Sequence, residues 1–183
     1  MESFEINKIL DLYNSKDYSD SDAYEKSIPP CIPLRSNVWV FLDELEEFNF
    51  VRDIINRDLQ NIDVRYKCGF YTLLIYQKGD FFAEHTDKAT IYSDPEISTS
   101  PEDEEKILFT GGYELNRDYK GGNLQLIHGS KMFMCESVLN IKPEVGDFYF
   151  FPNYLMHAVF PFKDSKEERR SISFNALTNS SKP

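Results

Sequence analysis

The sequence lacks several features that mark secreted, membrane-spanning or zinc-binding proteins. Its three cysteines (Cys31, Cys68 and Cys135) are an odd number without a CxxC pair, which argues against a disulfide framework and a cysteine-based zinc site. No apolar run reaches the roughly 18 residues that a membrane-spanning helix needs. The start lacks the basic and then apolar layout of a secretory signal. We therefore expect a cytoplasmic protein that does not bind membranes.

Positive charge is also scarce. The chain has 20 lysines and arginines against 31 acidic residues, which is a net charge of −11. Because such a surface repels phosphate backbones, nucleic acid is excluded as an expected partner. Peptides or proteins, small molecules and metal cations remain as partners, and the sequence leaves monomer and homodimer equally open.

The 183 residues, 41% of them hydrophobic and 15% aromatic, suffice for one packed domain over residues 1–183. Residues 1–62 are predicted to form a helical support and a polar tether. The best helical pattern covers residues 43–62, where Asp43 and Glu46 have the spacing of a capping pair. A shorter apolar stripe at helical spacing comes earlier, at Ile6, Ile9, Leu10 and Tyr13.

Residues 64–178 read as short strands separated by turn signals. About eight such runs without helices between them indicate a β-sandwich or barrel. One segment differs: residues 93–106 contain two prolines and six acidic residues, which predicts an acidic, mobile insert. The strand runs are 70–76, 81–91, 107–115, 123–128, 133–141, 147–151, 156–162 and 170–177.

The chain has three histidines, and two of them fall in patterns that suit a metal site. In a strand, residues i and i+2 share a face, so His85 and Asp87 could bind one ion. Alone, this motif is weak, since a surface histidine beside a solvated aspartate reads the same way. His157 opens a later apolar strand, and Arg169 follows twelve residues on. Arg169 and Ser171 would share a strand face, where they could bind a carboxylate together.

Taken in order, the motifs between residues 70 and 175 resemble the iron(II)- and 2-oxoglutarate-dependent dioxygenases, in the branch that contains the prolyl 4-hydroxylases. Several separate matches in the same order are more specific than any one of them. They are Tyr76-x-x-Gly79-x-x-Phe82-x-x-His85-x-Asp87, Leu115-Asn116, Gly121-Gly122-Asn123-Leu124, Gly146-Asp147, Phe151-Pro152, His157 and Arg169-x-Ser171.

The resemblance implies a mainly β fold with flanking helices (α+β), built on a double-stranded β-helix of the jelly-roll or cupin-like type. It implies that His85, Asp87 and His157 bind Fe(II) and that Arg169, helped by Ser171, binds the distal carboxylate of 2-oxoglutarate. These four residues would be the catalytic set, with O2 as a further substrate and ascorbate as a reductant. The expected reaction hydroxylates a prolyl or other peptidyl residue and releases succinate and CO2. A free amino acid or other small metabolite is the alternative substrate.

Further contacts are assigned less directly. Tyr76 and Tyr113 are candidates for binding the cosubstrate, although Gly111-Gly112 interrupts the apolar run before Tyr113 and leaves open which side chain reaches it. Phe82, Tyr92 and His128 are candidates for the substrate pocket.

Two readings without redox chemistry remain at this point. One is a cupin-like metal- or sugar-binding β-sandwich, which needs no arginine near the metal and no iron. The other is a metal-independent scaffold, which requires the His-x-Asp and His spacing to be accidental. Two imidazoles and one carboxylate favour the enzyme, because they leave three positions of an octahedral iron open, whereas a structural zinc would be closed by a fourth protein ligand.

Overall fold

The computed structural model describes residues 1–26, 35–87, 107–116, 120–128, 137–165 and 167–178. Within this part of the chain, no helix is long and apolar enough to cross a membrane. Two helices, α1 and α2, precede most of the strands. The elements are α1 Ser3–Asn14, β1 Tyr24–Lys26, β2 Val38–Phe41, α2 Asn49–Gln60, β3 Tyr66–Tyr76, β4 Phe82–His85, β5 Ile107–Glu114, β6 Lys120–Gly121, β7 Leu124–His128, β8 Ser137–Ile141, β9 Phe148–Pro152, β10 Met156–Val159, β11 Phe162–Lys163 and β12 Arg169–Thr178.

The strands form two main antiparallel sheets and one short ribbon. The large sheet has the order β1-β2-β3-β12-β5-β9, the small sheet has the order β4-β10-β7-β8, and β11 pairs with β6. Leu74 and Tyr76 of the large sheet share an apolar cluster with Phe82 of the small one, so the two sheets pack on each other. The predicted double-stranded β-helix with flanking helices is confirmed.

The central strands of the large sheet have one face toward the helices and one toward the small sheet. Ile172 and Phe174 of β12 are buried in the larger hydrophobic core, which also contains Ile9 of α1, and Ile55 and Leu59 of α2. Strand alternation turns the other residues of β12 the opposite way. We call this opposite side, which faces the small sheet, the inner face.

The predicted helix over residues 43–62 is only partly correct. Residues Leu42–Glu44 and Glu46–Phe48 form two 3-10 turns, and α2 begins at Asn49 with no side-chain cap. Leu45 between the turns is extended, with φ −111° and ψ 110°. Apolar residues three apart suit the 3-10 period, and this arrangement buries both Leu42 and Phe48 completely. Asp43 and Glu46 therefore do not cap the helix.

Other differences concern strand ends and the tether. β1 and β2, which extend the large sheet, were not expected in the polar segment before the helix. The predicted strand over 81–91 is described only as β4, Phe82–His85, and it ends before Asp87. The acidic insert lies outside the described residues. Its mobility and the division of residues 1–183 into a support, a β-domain and an insert stay predictions.

The packing of α2 on the large sheet predicts a stability difference between two apolar residues near its end. Leu59 is 0% exposed, whereas Ile62 is 52% exposed. We expect Leu59→Ala to lower the free energy of unfolding by about 2–5 kcal/mol, through lost burial and the cavity left behind. Ile62→Ala should change it by no more than about 0.5 kcal/mol. Urea unfolding followed by circular dichroism measures both, and similar losses would contradict this packing.

Candidate metal centre and carboxylate pocket

His85, Asp87 and His157 come together between the two sheets. β10 pairs with β4 so that His157 lies directly opposite His85. The Oδ1 atom of Asp87 is 3.5 Å from Nε2 of each histidine. One possible ligand atom from each residue lies within 4.8 Å of the other two. In the described part of the chain, these three form the one group of histidine, cysteine or acidic side chains placed to hold a metal ion.

Both imidazoles are oriented by backbone carbonyls. Nδ1 of His85 lies 2.7 Å from the carbonyl oxygen of Ala83, and Nδ1 of His157 lies 3.0 Å from that of Leu155. Because a carbonyl only accepts hydrogen bonds, each Nδ1 carries the proton and donates it. The lone pair of each Nε2 is then available to a metal, which is how ligating histidines are usually held.

Asp87 is held by the opposite sheet. Asp87 lies beyond the end of β4. His85 and Asp87 therefore do not meet because they share a face of one strand, as their spacing had suggested. The Thr110 hydroxyl of β5 donates a hydrogen bond to Oδ2 of Asp87. Oδ1, the other carboxylate oxygen, faces the two histidines. Thr110 is thus a functional residue that the sequence reasoning missed.

Burial and neighbouring groups shift the pKa values of Asp87 and His157 toward the protonation states that a metal needs. Burial alone would raise the pKa of Asp87, but its contacts with the imidazoles of His85 and His157 and the hydrogen bond from Thr110 together hold that pKa below its ordinary value. Burial lowers the pKa of His157, with Asp87 opposing that shift. A carboxylate and a neutral imidazole therefore face the site near neutral pH.

Aromatic rings flank both histidines. Phe82 stacks on His85 with 3.7 Å between ring centroids, and Phe151 lies edge-on to His157 at 4.8 Å. Phe82 is buried and packs between Trp39 and His85, which is a candidate metal ligand. Its role as a substrate contact stays a prediction. Such apolar rings limit the access of water to the site.

Arg169 and Ser171 lie on the inner face of the large sheet, and each is 1% exposed. The Arg169 guanidinium lies 5.0 Å from the centre of the Tyr76 ring, on the strand paired with it. Arg170 is on the opposite face, where it contacts Tyr13 of α1. The structure thus separates the two neighbouring arginines as strand alternation predicts.

Tyr76 offers a buried hydrogen-bond donor beside this arginine. Its hydroxyl has no hydrogen-bond partner among the described residues. Burial raises the pKa of Tyr76 to about 12, while Arg169 opposes the shift, so the phenol stays protonated. A buried polar group without a partner is costly, which makes this pair suitable for a ligand that accepts hydrogen bonds, such as a carboxylate.

A buried glutamate, which the sequence reasoning missed, shares the pocket. Nε of Arg169 donates to Oε1 of Glu114 at 3.1 Å, and Nη2 donates to Oε2 at 2.8 Å. Glu114 is 0% exposed. Alternation along β5 could have identified it, because Thr110, Gly112 and Glu114 are two residues apart and share the inner face. β5 therefore contacts both halves of the site, Asp87 through Thr110 and Arg169 through Glu114.

Tyr113 does not reach this pocket, and its assignment to the cosubstrate is corrected. Its side chain lies on the helix side of the large sheet and packs against Phe148 and Phe174. Its hydroxyl donates to Oδ2 of Asp58 in α2 at 2.8 Å. The reason is again alternation, which turns Tyr113 away from Glu114, its neighbour in the strand.

The glycine pair that interrupts β5 makes room for aromatic rings on both faces. A Cβ on Gly112 would lie 2.5 Å from the Tyr149 hydroxyl oxygen on the inner face, and a Cβ on Gly111 would lie 2.4 Å from the Phe174 ring. Both distances are shorter than any side-chain contact allows. Tyr149 of β9 is therefore the tyrosine that crosses the inner face of β5.

Other residues remain unassigned. Tyr92 lies outside the described residues, as does the side chain of His128, so both stay predictions. Asn37, which precedes β2, is completely buried, and neither polar atom of its side chain has a partner among the residues described. Nothing in its local sequence indicated this burial.

This fold and site define a class of proteins. A double-stranded β-helix that presents two histidines and one aspartate around a single point is the arrangement of mononuclear non-haem iron oxygenases, whose metal keeps open positions. The chain belongs to the 2OG-Fe(II) oxygenase superfamily, whose family model matches residues 71–176. It is a 2-oxoglutarate-dependent dioxygenase that uses Fe(II), 2-oxoglutarate and O2, which excludes the cupin-like binding protein and the metal-independent scaffold.

Solved structures share the fold at low sequence identity. A prolyl-4-hydroxylase from Pseudomonas putida is 14% identical with a TM-score of 0.61, covering 98% of this chain and 89% of its own. A prolyl hydroxylase from Trichoplax adhaerens, in complex with a hypoxia inducible factor peptide fragment, is 16% identical with a TM-score of 0.63, covering 96% and 78%. The epimerase SnoN from nogalamycin biosynthesis is 11% identical with a TM-score of 0.69, covering 97% and 74%. Among curated proteins, no sequence matches significantly.

The hydrogen bond from Thr110 to Asp87 predicts an effect on metal affinity. We expect Thr110→Val to weaken Mn(II) binding, measured by calorimetry, about 10- to 100-fold, as for other groups that orient metal ligands. Thr110→Ser should restore it, because the hydroxyl is retained. Thr72→Val is the matched control, since Thr72 is also buried on the large sheet but its hydroxyl has no partner among the described residues. Equal losses in Thr72→Val and Thr110→Val would contradict an orienting role.

Proposed function

We propose that this oxygenase hydroxylates a prolyl or other peptidyl residue, with succinate and CO2 as co-products. In this proposal His85, Asp87 and His157 bind Fe(II), and Arg169, with Ser171 and Tyr76, binds the distal carboxylate of 2-oxoglutarate. The observation that carries it is the His-Asp-His group together with the buried Arg169. Arg169 lies on the inner face of the large sheet, the sheet whose Thr110 orients Asp87.

Each part of the site has a separate task. Bound iron would supply the activation of dioxygen, coupled to oxidative decarboxylation of the cosubstrate. The backbone carbonyls of Ala83 and Leu155 hold the two imidazoles, and the Thr110 hydroxyl holds Asp87. The three side chains can therefore bind one metal ion without rearrangement. Arg169 and the neutral Tyr76 hydroxyl orient the cosubstrate. Phe82 and Phe151 exclude water from the histidines, which protects the reaction from side reactions.

A peptide substrate is favoured by two of the similar structures. Prolyl hydroxylases are among the similar structures, and one of them is bound to a peptide fragment. The net charge of −11 favours a cationic or neutral partner over an anionic one. A free amino acid or another small metabolite is the second candidate, favoured by the similarity to the epimerase SnoN from nogalamycin biosynthesis. Ascorbate as reductant, the cytoplasmic location and the oligomeric state stay predictions.

Mass spectrometry tests the proposed substrate class. Purified protein is incubated in air with Fe(II), 2-oxoglutarate and either a pool of proline-containing peptides or a pool of free amino acids. We expect peptides to gain one oxygen atom while succinate forms. Asp87→Ala is the control, since it removes one of three candidate ligands and should abolish both products. Oxygen gained only by free amino acids would contradict the peptide assignment and support the alternative.

The positions of the two arginines predict different effects on cosubstrate binding. Arg169→Ala should weaken 2-oxoglutarate binding about 10- to 150-fold, which corresponds to the roughly 1.5–3 kcal/mol of a hydrogen bond to a charged group. Arg170→Ala, on the opposite face, should change it little. Calorimetry measures both, and Arg169→Lys tests whether charge alone suffices. Because Arg169→Ala also leaves Glu114 buried without this counter-ion, circular dichroism must show that the variant is folded.

A larger effect of Arg170→Ala than of Arg169→Ala would place the cosubstrate on the helix side of the large sheet and contradict the proposal.

A further inference from the structure

The Arg169–Glu114 pair gives the arginine a carboxylate before any ligand arrives. Glu114 takes hydrogen bonds from two nitrogens of the guanidinium through both of its own oxygens. Their side chains are 2% and 0% exposed. This is the two-point contact that guanidinium groups make with carboxylates generally. Glu114 therefore makes with Arg169 the kind of contact that a dicarboxylate ligand would make.

The cations around the Tyr76 hydroxyl are already matched by anions of the protein. The charged groups that act on the Tyr76 hydroxyl are the cations Arg169 and Arg35 and the anions Glu114 and Asp80. Arg35 is in turn paired with Glu25. These two cations and three anions have a net charge of −1, so a ligand carboxylate that enters here adds to a negative charge that is already present. Because the region is buried, water screens the repulsion between that carboxylate and Glu114 only weakly.

Glu114 has an evident role when no ligand is bound. A buried guanidinium without a counter-ion is strongly destabilising, so the carboxylate on β5 makes it possible to bury Arg169 at all. When a second carboxylate approaches, the Arg169–Glu114 contact must weaken, or the guanidinium must bind both carboxylates at once. Glu114 thus stabilises the buried Arg169 and disfavours the binding of a further carboxylate beside it.

We propose that Glu114 is a specificity-determining residue that shares Arg169 with the distal carboxylate of the cosubstrate and thereby weakens its binding. This inference rests on the proposed role of Arg169. Its consequence is that the enzyme responds to the concentration of the dicarboxylate instead of being saturated at low levels. The effect is confined to ligands with a distal carboxylate, because a 2-oxo acid without one places no charge beside Glu114.

Glu114→Gln tests the inference, because it removes the charge and keeps a side chain of similar shape. The ligands are 2-oxoglutarate and 2-oxovalerate, which has a chain of the same length without the distal carboxylate. Calorimetry with the Mn(II)-loaded protein measures affinity without any turnover. Glu168→Gln is the matched control, since Glu168 pairs with Arg170 on the opposite face of the same strand.

We expect Glu114→Gln to bind 2-oxoglutarate about 10- to 100-fold more tightly than the wild type, from the loss of one buried like charge. The affinity of Glu114→Gln for 2-oxovalerate should stay within about twofold of the wild-type value, because this ligand has no charge beside residue 114. The affinities of Glu168→Gln for 2-oxoglutarate and for 2-oxovalerate should also stay within about twofold of the wild-type values. The thermal shift caused by a fixed excess of 2-oxoglutarate should also be larger in Glu114→Gln, because stabilisation of the folded state grows with the logarithm of the ratio of ligand concentration to Kd.

The outcomes separate this inference from the proposed function. If the wild type binds 2-oxoglutarate and Glu114→Gln binds it equally or less tightly, the inference is wrong and the proposed cosubstrate site stands. An equal gain for both ligands also overturns it. If neither protein binds 2-oxoglutarate, the proposed site itself is wrong. Should Glu114→Gln not fold, Glu114→Asp withdraws the charge from Arg169 by one methylene, and we expect a smaller gain in the same direction; no gain overturns the inference.

Discussion

The alternation of side chains along two paired strands is the constraint on which the site depends. β5 and β12 are antiparallel neighbours in the centre of the large sheet. One face of each must be apolar, because the two helices cover it. The other face can then carry Thr110 and Glu114 on β5 and Arg169 on β12, all buried between the sheets. A shift of one residue in either strand would exchange these groups for Tyr113 and Arg170.

A second requirement is that buried polar groups find partners from other elements. Asp87 lies beyond its strand and is held by a threonine of the opposite sheet, and the two imidazoles are held by backbone carbonyls. Arg169 is neutralised by Glu114. The inner face is therefore stable before ligands bind, and its geometry is prepared in advance. The fixed position of such groups disfavours the binding of a ligand whose charge has the same sign as a neighbouring protein group.

Much of the site could be predicted from the sequence because its motifs are local. The His-x-Asp spacing, the distal histidine and the arginine twelve residues later identify the candidate metal ligands and the strand that we propose binds the cosubstrate. The register of β12 follows from simple alternation. Glu114 and Thr110 were missed because they act on residues distant in sequence. Tyr113 was misassigned because the glycine pair before it conceals which face of β5 it occupies.

The sequence by itself determined the mainly β fold, the presence of two helices and the identity of the three candidate metal ligands, because periodicity, turn residues and motif order are properties of short segments. The tertiary structure alone decided that α2 begins at Asn49, that Tyr149 crosses Gly112, and that Arg169 is buried against Glu114. These outcomes depend on which side chains compete for the same space and charge across strands. Such competition between distant segments exists only once the chain has folded.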